Sequence, residues 1–280
     1  MKKIGFVDYY ISEWHANNYP AWMAEMNEKL GYDYQVCYAW AEEYVSPVDG
    51  VNTDQWCEKM GVERCRTVQE LCEKSDVIVV LAPSNPETHL RLAQAVLPYG
   101  KRTYIDKTFA PNYEIAKQIF DLGEKYNTPF FSSSALRYGS ELEKFAGAKN
   151  VMVTGGGRSL EEYGIHIVEM GVSILKSPAK KVKVEHLGQH RICNVITEDG
   201  NKASLIYAQG MPYRVAAELP DGTYHGEAIA SDFFRNLIAD MLRFFEIGKA
   251  SFDPKETLEV MRLRDAILKA DLTENEWLDV

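Results

Sequence analysis

The first half of the sequence repeats a short apolar segment followed by an amphipathic one. KIGFV (3–7) and DVIVVLA (76–82) are apolar runs rich in β-branched residues, the pattern of strands buried on both faces. Further strands are predicted at 32–40, 102–106 and 129–136, and helices at about 18–30, 53–61, 85–99 and 111–126. Repeated strand–helix–strand units predict an α/β, Rossmann-type, doubly wound parallel sheet with right-handed crossovers.

Such a sheet also predicts where a ligand binds. Ligands of doubly wound sheets lie beyond the carboxyl ends of the strands. The residues that follow Val7, Leu81, Ile105 and Leu136 are therefore expected to share one crevice.

After residue 136 the pattern changes to alternating apolar and polar residues broken by Asp-Gly turns, as in 181–208 and 213–227. This pattern predicts an α+β domain with a mainly antiparallel sheet, one face of which is covered by helices. We expect a dinucleotide-binding domain at 1–136 and a substrate-binding and oligomerisation domain at 137–280, with the last helix able to pack back on the first domain.

Charge and composition exclude several classes of partner. A formal net charge of −10 argues against nucleic acid or an anionic membrane as the main partner. No apolar run reaches the roughly 18 residues of a membrane span. The spacing of the cysteines fits neither a disulfide framework nor a zinc knuckle, so we expect no metal site and a reducing, cytoplasmic location; the five are Cys37, Cys57, Cys65, Cys72 and Cys193.

An aspartate and a lysine, Asp106 and Lys107, end the predicted buried strand at 102–106. Burying ions costs free energy, so the pair is either solvated or present for chemistry. A lysine can accept a proton in catalysis when burial lowers its pKa towards neutrality.

The stretch 62–138 resembles the Gfo/Idh/MocA family of nicotinamide-dependent sugar and cyclitol oxidoreductases. Pro83, Asn85 and His89 stand for the family's Pro-Asn…His turn, and Asp106-Lys107-Thr108 stands for its Glu-Lys-Pro signature. Arg137-Tyr138 follows the sixth strand as the family's Arg-Tyr does. Farther along, Glu162-Tyr163-Gly164-Ile165-His166 is similar to the family's Asp-x-Gly-x-His helix.

This resemblance implies roles for particular residues. Lys107 would lie in the cleft beside the substrate hydroxyl and the nicotinamide and relay its proton, with His166 and Glu162 as further catalytic or substrate-orienting groups. Arg137 would contact substrate, although it could equally form a structural salt bridge. The cofactor contacts implied are Tyr10, Ser12, His15, Pro83, Asn85, His89, Asp106 and Lys107.

The loop after the first strand departs from the family. A Gly-x-Gly-x-x-Gly turn allows backbone amides to approach a diphosphate, but Asp8 and Tyr10 stand where the first two glycines are expected. The loop is therefore rebuilt around a phosphate, binds the cofactor weakly or in an altered pose, or has lost it. Glu42, after the second strand, would repel a 2′-phosphate, so NAD is slightly preferred over NADP.

Three functions stay open. The first is an NAD(P)-dependent oxidoreductase that moves hydride between nicotinamide and a secondary alcohol of a sugar, cyclitol or polyol. The second is a non-catalytic binding or regulatory protein on the same fold, and the third is a redox-neutral enzyme that retains its nicotinamide. The resemblance implies a homodimer or homotetramer in which the open face of the second-domain sheet is buried against a neighbour. The alternating strands at 182–208 are compatible with this, since an uncovered apolar face would otherwise contact water.

Overall fold

The computed structural model describes all 280 residues, which divide into two compact units. The first unit comprises 1–133 and 237–254, and the second comprises 134–236 and 255–280. The first contains a six-stranded parallel sheet and the second a seven-stranded, mainly antiparallel sheet. The predicted fold class is confirmed.

The strands of the first unit are β1 (Lys2–Asp8), β2 (Tyr34–Ala41), β3 (Glu63–Arg64), β4 (Val77–Val80), β5 (Thr103–Ile105) and β6 (Phe130–Phe131). They lie in the order β3-β2-β1-β4-β5-β6, and every neighbouring pair is parallel. Successive strands are added to one side of β1 up to β3 and to its other side from β4 onwards. Ligands of such sheets bind at this switch between β1 and β4. All four residues of β4 are buried, as the apolar run at 76–82 predicts.

The helices of this half of the chain are α1 (Trp14–Leu30), α2 (Thr53–Met60), α3 (Val68–Lys74), α4 (His89–Val96) and α5 (Tyr113–Tyr126). Asn112 caps α5 through a hydrogen bond from the amide of Ile115, and Thr67 caps α3 through the amide of Glu70. Helix α1 begins four residues earlier than the sequence predicts.

The predicted strand at 129–136 is mostly wrong, because only β6 at its start joins the sheet. The chain continues as a 3₁₀ turn at Ala135–Tyr138, and Ser134 Oγ accepts a hydrogen bond from the amide of Leu136 (3.2 Å). Serine side chains that bond nearby backbone groups compete with strand pairing, which explains the early end of β6. A second 3₁₀ segment follows at Ser140–Phe145.

The second unit contains β7 (Asn150–Gly155), β8 (Ala179–Leu187), β9 (His190–Thr197), β10 (Lys202–Tyr207), β11 (Arg214–Glu218), β12 (Tyr224–Ala228) and β13 (Leu278–Asp279). Their order is β12-β11-β7-β10-β9-β8-β13, in which only β7 and β10 pair in parallel. The remaining helices are α6 (Leu160–Leu175), α7 (Phe233–Ile247) and α8 (Glu256–Thr273).

One face of this second sheet packs against α6 and α8. Along each of these strands every second residue is buried on the helix side, for example Val153, Leu205 and Val195. The alternate positions, among them Met152 and Ile206, lie on the other face and are exposed or half-buried. No helix of the protein is both long enough and apolar enough to cross a bilayer.

Candidate functional site

The carboxyl ends of β1, β4 and β5 lie side by side in the first unit, because the parallel register aligns their last residues. Asp8 ends β1, and its Oδ1 accepts hydrogen bonds from the backbone amides of Tyr9 (2.7 Å) and Ala82 (2.9 Å). Asp8 is only 1% exposed, and its Oδ2 has no hydrogen-bond partner. The edge of the sheet where a ligand is expected thus begins with a buried carboxyl group.

Glu13 caps the first turn of α1. Its carboxylate accepts hydrogen bonds from the backbone amides of His15 (2.7 Å) and Ala16, and its own backbone is extended. The side chain is 7% exposed. The two amides that open the helix therefore already hold an anionic group of the chain itself.

His15 and Asp106 connect α1 with the end of β5. His15 Nδ1 bonds to Asp106 Oδ2, and the ring of Tyr19 stacks on the imidazole with 5.0 Å between centroids and 11° between planes. The hydroxyl of Tyr104 donates to Asp106 Oδ1 (3.2 Å), and so does the backbone amide of Lys107 (2.8 Å). Asp106 is fully buried, so these partners supply the hydrogen bonds that water would otherwise make.

The acidic groups of this buried cluster differ in their protonation. Burial raises the pKa of Asp8 well above its usual value, and the neighbouring Glu13 carboxylate raises it further. Burial also raises the pKa of Glu13, against the opposing attraction of His15. For Asp106, burial acts upward, but His15 and Lys107 hold its pKa below the usual value. Asp106 is therefore the carboxyl group of this cluster whose ionised form its surroundings favour.

Lys107 follows β5 and is half-buried. Its Nζ donates a hydrogen bond to the carbonyl oxygen of Pro83 (3.2 Å), and the peptide bond to Thr108 is cis. Two elements that the resemblance singles out, the residues after β4 and those after β5, are thus brought together. The ammonium group is accessible at the carboxyl edge of the sheet and has a defined direction.

Other residues predicted to bind a cofactor are engaged within the chain. Ser12 Oγ donates to Asp49 Oδ2 (2.7 Å), and Asn85 Nδ2 donates to Glu87 Oε1 (3.0 Å). The imidazole of His89 is fully buried between the carbonyl oxygens of Leu81 and Phe109. His89 thus links the segments after β4 and β5 from within the core and is not exposed to a ligand. Tyr10 is half-buried in the same loop.

The residues present do not fit a dinucleotide diphosphate placed on α1 in the usual way. That pose needs free amides at the first turn and glycines that allow a close approach. Here the amides of His15 and Ala16 hold Glu13, and no glycine occurs between Gly5 and Gly31. A bound diphosphate would also face the carboxyl group of Asp8.

A second feature lies after β2, where a ribose would be expected. The guanidinium of Arg91, on α4, donates to both carboxylate oxygens of Glu42 (2.8 and 2.7 Å). The same guanidinium lies over the ring of Tyr9, 5.7 Å from its centroid. The acidic group predicted to favour NAD is present, but it is paired with a cation.

In the second unit, three glycines at the end of β7 allow two tyrosine rings to lie against the backbone. A Cβ atom on Gly155 would come within 2.4 Å of the Tyr213 ring, and one on Gly157 within 2.0 Å of the Tyr163 ring. The Tyr213 hydroxyl donates to the carbonyl oxygen of Gly156 (2.9 Å). The rings are half-buried, so each keeps an accessible part.

His166 lies between these rings on α6. The Tyr163 and Tyr213 rings are edge-on to the imidazole, at centroid distances of 5.7 and 5.8 Å. His166 Nδ1 is 2.7 Å from Ser134 Oγ. Glu162, one turn earlier on α6, forms an ion pair with Arg158. The arrangement of an imidazole, a hydroxyl and two aromatic rings is suited to a polyhydroxylated ligand.

Among the predicted site residues, Arg137 is the one whose contacts best fit a structural role. Its side chain is 6% exposed and forms ion pairs with Glu169 (2.5 Å) and Glu256 (2.8 Å). Glu169 is itself 2% exposed. These contacts favour the structural alternative for Arg137, because its charge is used to neutralise two carboxylates of the second unit.

Sequence reasoning missed Glu13, Tyr163 and Tyr213. Glutamate is not among the residues that usually cap helices, so the start of α1 is not marked. Tyr163 stands inside the Glu-x-Gly-x-His stretch, where only the polar positions attract attention. The glycine triplet at 155–157 was the available signal, because consecutive glycines after a strand indicate that something packs closely on the backbone.

No family model and no curated protein matches this chain. Solved structures share its fold at low sequence identity. A probable dehydrogenase from Thermotoga maritima has a TM-score of 0.79 at 11% identity, covering 99% of this chain and 98% of its own. UDP-N-acetylglucosamine 3-dehydrogenase from Acidithiobacillus ferrooxidans (0.75, 12%, 97% of both chains) and aldose-aldose oxidoreductase from Caulobacter crescentus (0.75, 11%, 100% and 99%) are also similar. At such identities the likeness shows the fold.

Proposed function

We propose that the protein is an oxidoreductase of the Gfo/Idh/MocA type that acts on a secondary alcohol of a sugar, cyclitol or related polyol. The observation that carries the proposal is the position of Lys107, a directed, half-buried ammonium at the carboxyl edge of the parallel sheet. Its fold is that of proteins described as dehydrogenases and as an aldose-aldose oxidoreductase, which supports the same reaction class.

Lys107 is proposed as the group that exchanges the hydroxyl proton of the substrate. The Pro83 carbonyl oxygen fixes the direction of its Nζ, and the Asp106 carboxylate fixes its backbone amide. Oxidation of a carbinol carbon releases the hydroxyl proton together with a hydride, so a base within hydrogen-bond reach lowers the barrier. Removing such a group typically costs a factor of 10²–10⁴ in rate.

His166 and Glu162 are proposed to bind and orient substrate hydroxyls, with Tyr163 and Tyr213 contacting the apolar face of the ring. The contact between Ser134 Oγ and His166 Nδ1 fixes the orientation of the imidazole. Half-buried aromatic rings suit the C–H surface of a sugar or cyclitol. Arg137 is left out of this set because it is paired within the fold.

The hydride acceptor expected from the fold is a nicotinamide dinucleotide. We propose NAD slightly in preference to NADP, because the Glu42 carboxylate after β2 would repel a 2′-phosphate, and its pairing with Arg91 makes this preference small. The first turn of α1 does not accept the diphosphate as it stands, so a bound dinucleotide must be held differently there or must displace Glu13.

The test is to assay a panel of sugars, cyclitols and polyols with NAD and NADP and to monitor the formation of reduced nicotinamide. Lys107→Ala should lower turnover at least 100-fold with cofactor affinity within about threefold. Lys117→Ala removes an exposed lysine that contacts Glu114 and the ring of Tyr113 on its own helix, and it should behave as wild type. Activity of Lys107→Ala within threefold of wild type would contradict the role of this residue.

A second candidate function is a sugar-binding or regulatory protein without redox chemistry. The specific observation in its favour is Glu13, which holds the amides that a dinucleotide would use. Titration with NADH and NADPH, in which binding is measured by nicotinamide fluorescence, separates the two candidates. Binding of a polyol without binding of either cofactor at millimolar concentration would favour the second.

A further inference from the structure

Helix α1 carries its own anion at its first turn. We propose that the Glu13 carboxylate occupies the position that a dinucleotide diphosphate would take, so that this side chain is an intramolecular competitor of the cofactor. The inference rests on the proposed function, because it states how the chain restricts access of the cofactor expected for that reaction.

The contacts of Glu13 are those that a phosphate group makes at a helix start. Both carboxylate oxygens accept from first-turn amides, Oε2 from His15 and Oε1 from Ala16. These donors and the positive end of the helix dipole are what attract anions to such positions. A diphosphate and the carboxylate would require the same hydrogen atoms, so the two cannot bind there together.

Capping alone accounts poorly for a glutamate at this position. Serine, threonine, aspartate and asparagine satisfy first-turn amides with shorter side chains, and they are the usual choices. Glu13 is instead folded into an interior that already contains the Asp8 and Asp106 carboxyl groups, where its burial raises its pKa. A plain cap would place the same hydrogen bonds at lower electrostatic cost.

The surrounding loop closes the position further. Ile11 is 1% exposed and Ser12 is 4% exposed, with its hydroxyl bonded to Asp49. The Ser46 hydroxyl donates to the Ser12 carbonyl oxygen (2.8 Å), which ties the loop to the segment after β2. The loop is thus held in place by its own contacts, and Glu13 is the group whose removal exposes the two amides.

The experiment measures binding of ADP, which carries the diphosphate but no nicotinamide, by calorimetry at a pH of about 8, where carboxylates are usually ionised. Wild type is compared with Glu13→Gly, which exposes both amides, and with Glu13→Ser, which keeps a cap and shortens the side chain. Both variants should bind ADP at least tenfold more tightly than wild type. Glu13→Gln, which fills the same space, should gain less than either.

A tenfold gain corresponds to about 1.4 kcal/mol. A gain below tenfold in both Glu13→Gly and Glu13→Ser, or tighter binding by wild type, overturns the inference. Thermal unfolding and circular dichroism show whether each variant is folded, and the serine variant decides if the glycine variant is not. Should neither fold, wild type decides: millimolar or weaker binding of ADP agrees with the inference, and tighter binding overturns it.

Because ADP cannot undergo hydride transfer, this result is independent of the proposed reaction. A gain in ADP binding without oxidation of any polyol would retain the competitor and reject the oxidoreductase. Oxidation of a polyol by wild type, with unchanged ADP affinity in the Glu13 variants, would do the reverse.

Discussion

His15 and Asp106 form a buried hydrogen-bonded pair that joins the first turn of α1 to the end of β5, with the side chains 7% and 1% exposed. Asp106 also holds the backbone amide of Lys107, so this pair lies directly behind the proposed catalytic lysine.

The first prediction concerns this pair. His15→Ala would leave the Asp106 carboxylate buried without its imidazole partner, and the free energy of unfolding should fall by about 3–5 kcal/mol. His15→Asn can still donate a hydrogen bond and should lose less than half of that amount. Urea denaturation gives both values, with His190→Ala at the surface as the control. An alanine variant as stable as wild type would show that the pair is not stabilising.

The second prediction is a pH dependence that originates at Asp8. Burial and the Glu13 carboxylate raise the pKa of Asp8 well above its usual value, so the folded protein holds a proton there that the unfolded chain releases. Stability from this proton is full at low pH and is lost as the pH rises through the raised pKa.

Asp8→Asn removes that titration and keeps an oxygen that accepts from the amides of Tyr9 and Ala82. The stability of the variant relative to wild type should therefore increase between about pH 5 and pH 8. Urea midpoints at several pH values measure it, and Asp121→Asn, at an exposed position, should follow wild type throughout. A constant difference over this range would show that Asp8 does not bind the proton.

The sequence predicted the sheet of the first unit well because parallel strands read as apolar runs, and 3–7 and 76–82 are nearly pure examples. The prediction was wrong where a side-chain hydrogen bond to the backbone took the place of strand pairing. The serines at 132–134 suit an extended chain as well as a turn, and only the bond from Leu136 to Ser134 decides between them.

The sequence pointed to polar residues of the candidate site but not to its shape. Lys107 and His166 were predicted as site residues because their positions match family signatures. Glu13 was not, since its role depends on the amides that it meets after folding. Arg137 shows the opposite limit: a match to a signature cannot distinguish a substrate contact from a pair with Glu169.

The third prediction separates those roles for Arg137. Arg137→Ala leaves Glu169 buried without its partner and should cost about 3–5 kcal/mol of stability. Arg137→Ala combined with Glu169→Gln should recover part of that loss, because the uncompensated charge is gone. Urea denaturation measures both. A KM that rises tenfold in a fully stable Arg137→Ala variant would instead restore the role in substrate binding.

The fourth prediction tests the open face of the second sheet, which we propose as the contact of a homodimer or homotetramer. Ile206 pairs with Ile192 across β10 and β9 on the face opposite the helices, and Met152 is 43% exposed on the same face. Ile206→Glu should convert the oligomer to a monomer in light scattering after gel filtration, since a charge buried at an apolar interface is costly. Lys202→Glu, at the end of the same strand, should not. A wild-type monomer would reject the proposal.

The last prediction uses the glycine at which Tyr163 lies. A Cβ on Gly157 would fall inside the tyrosine ring, so Gly157→Ala must displace that ring and, with it, one neighbour of His166. If Tyr163 contacts the sugar-like substrate, Gly157→Ala and Tyr163→Leu should each raise KM about tenfold, equivalent to about 1.4 kcal/mol. Gly226→Ala, on β12, where an added Cβ would come no closer than 3.3 Å to a neighbouring atom, is the control for a general effect of such a substitution. Steady-state kinetics on the best polyol of the panel gives the values, and an unchanged KM in both variants would remove Tyr163 from the substrate site.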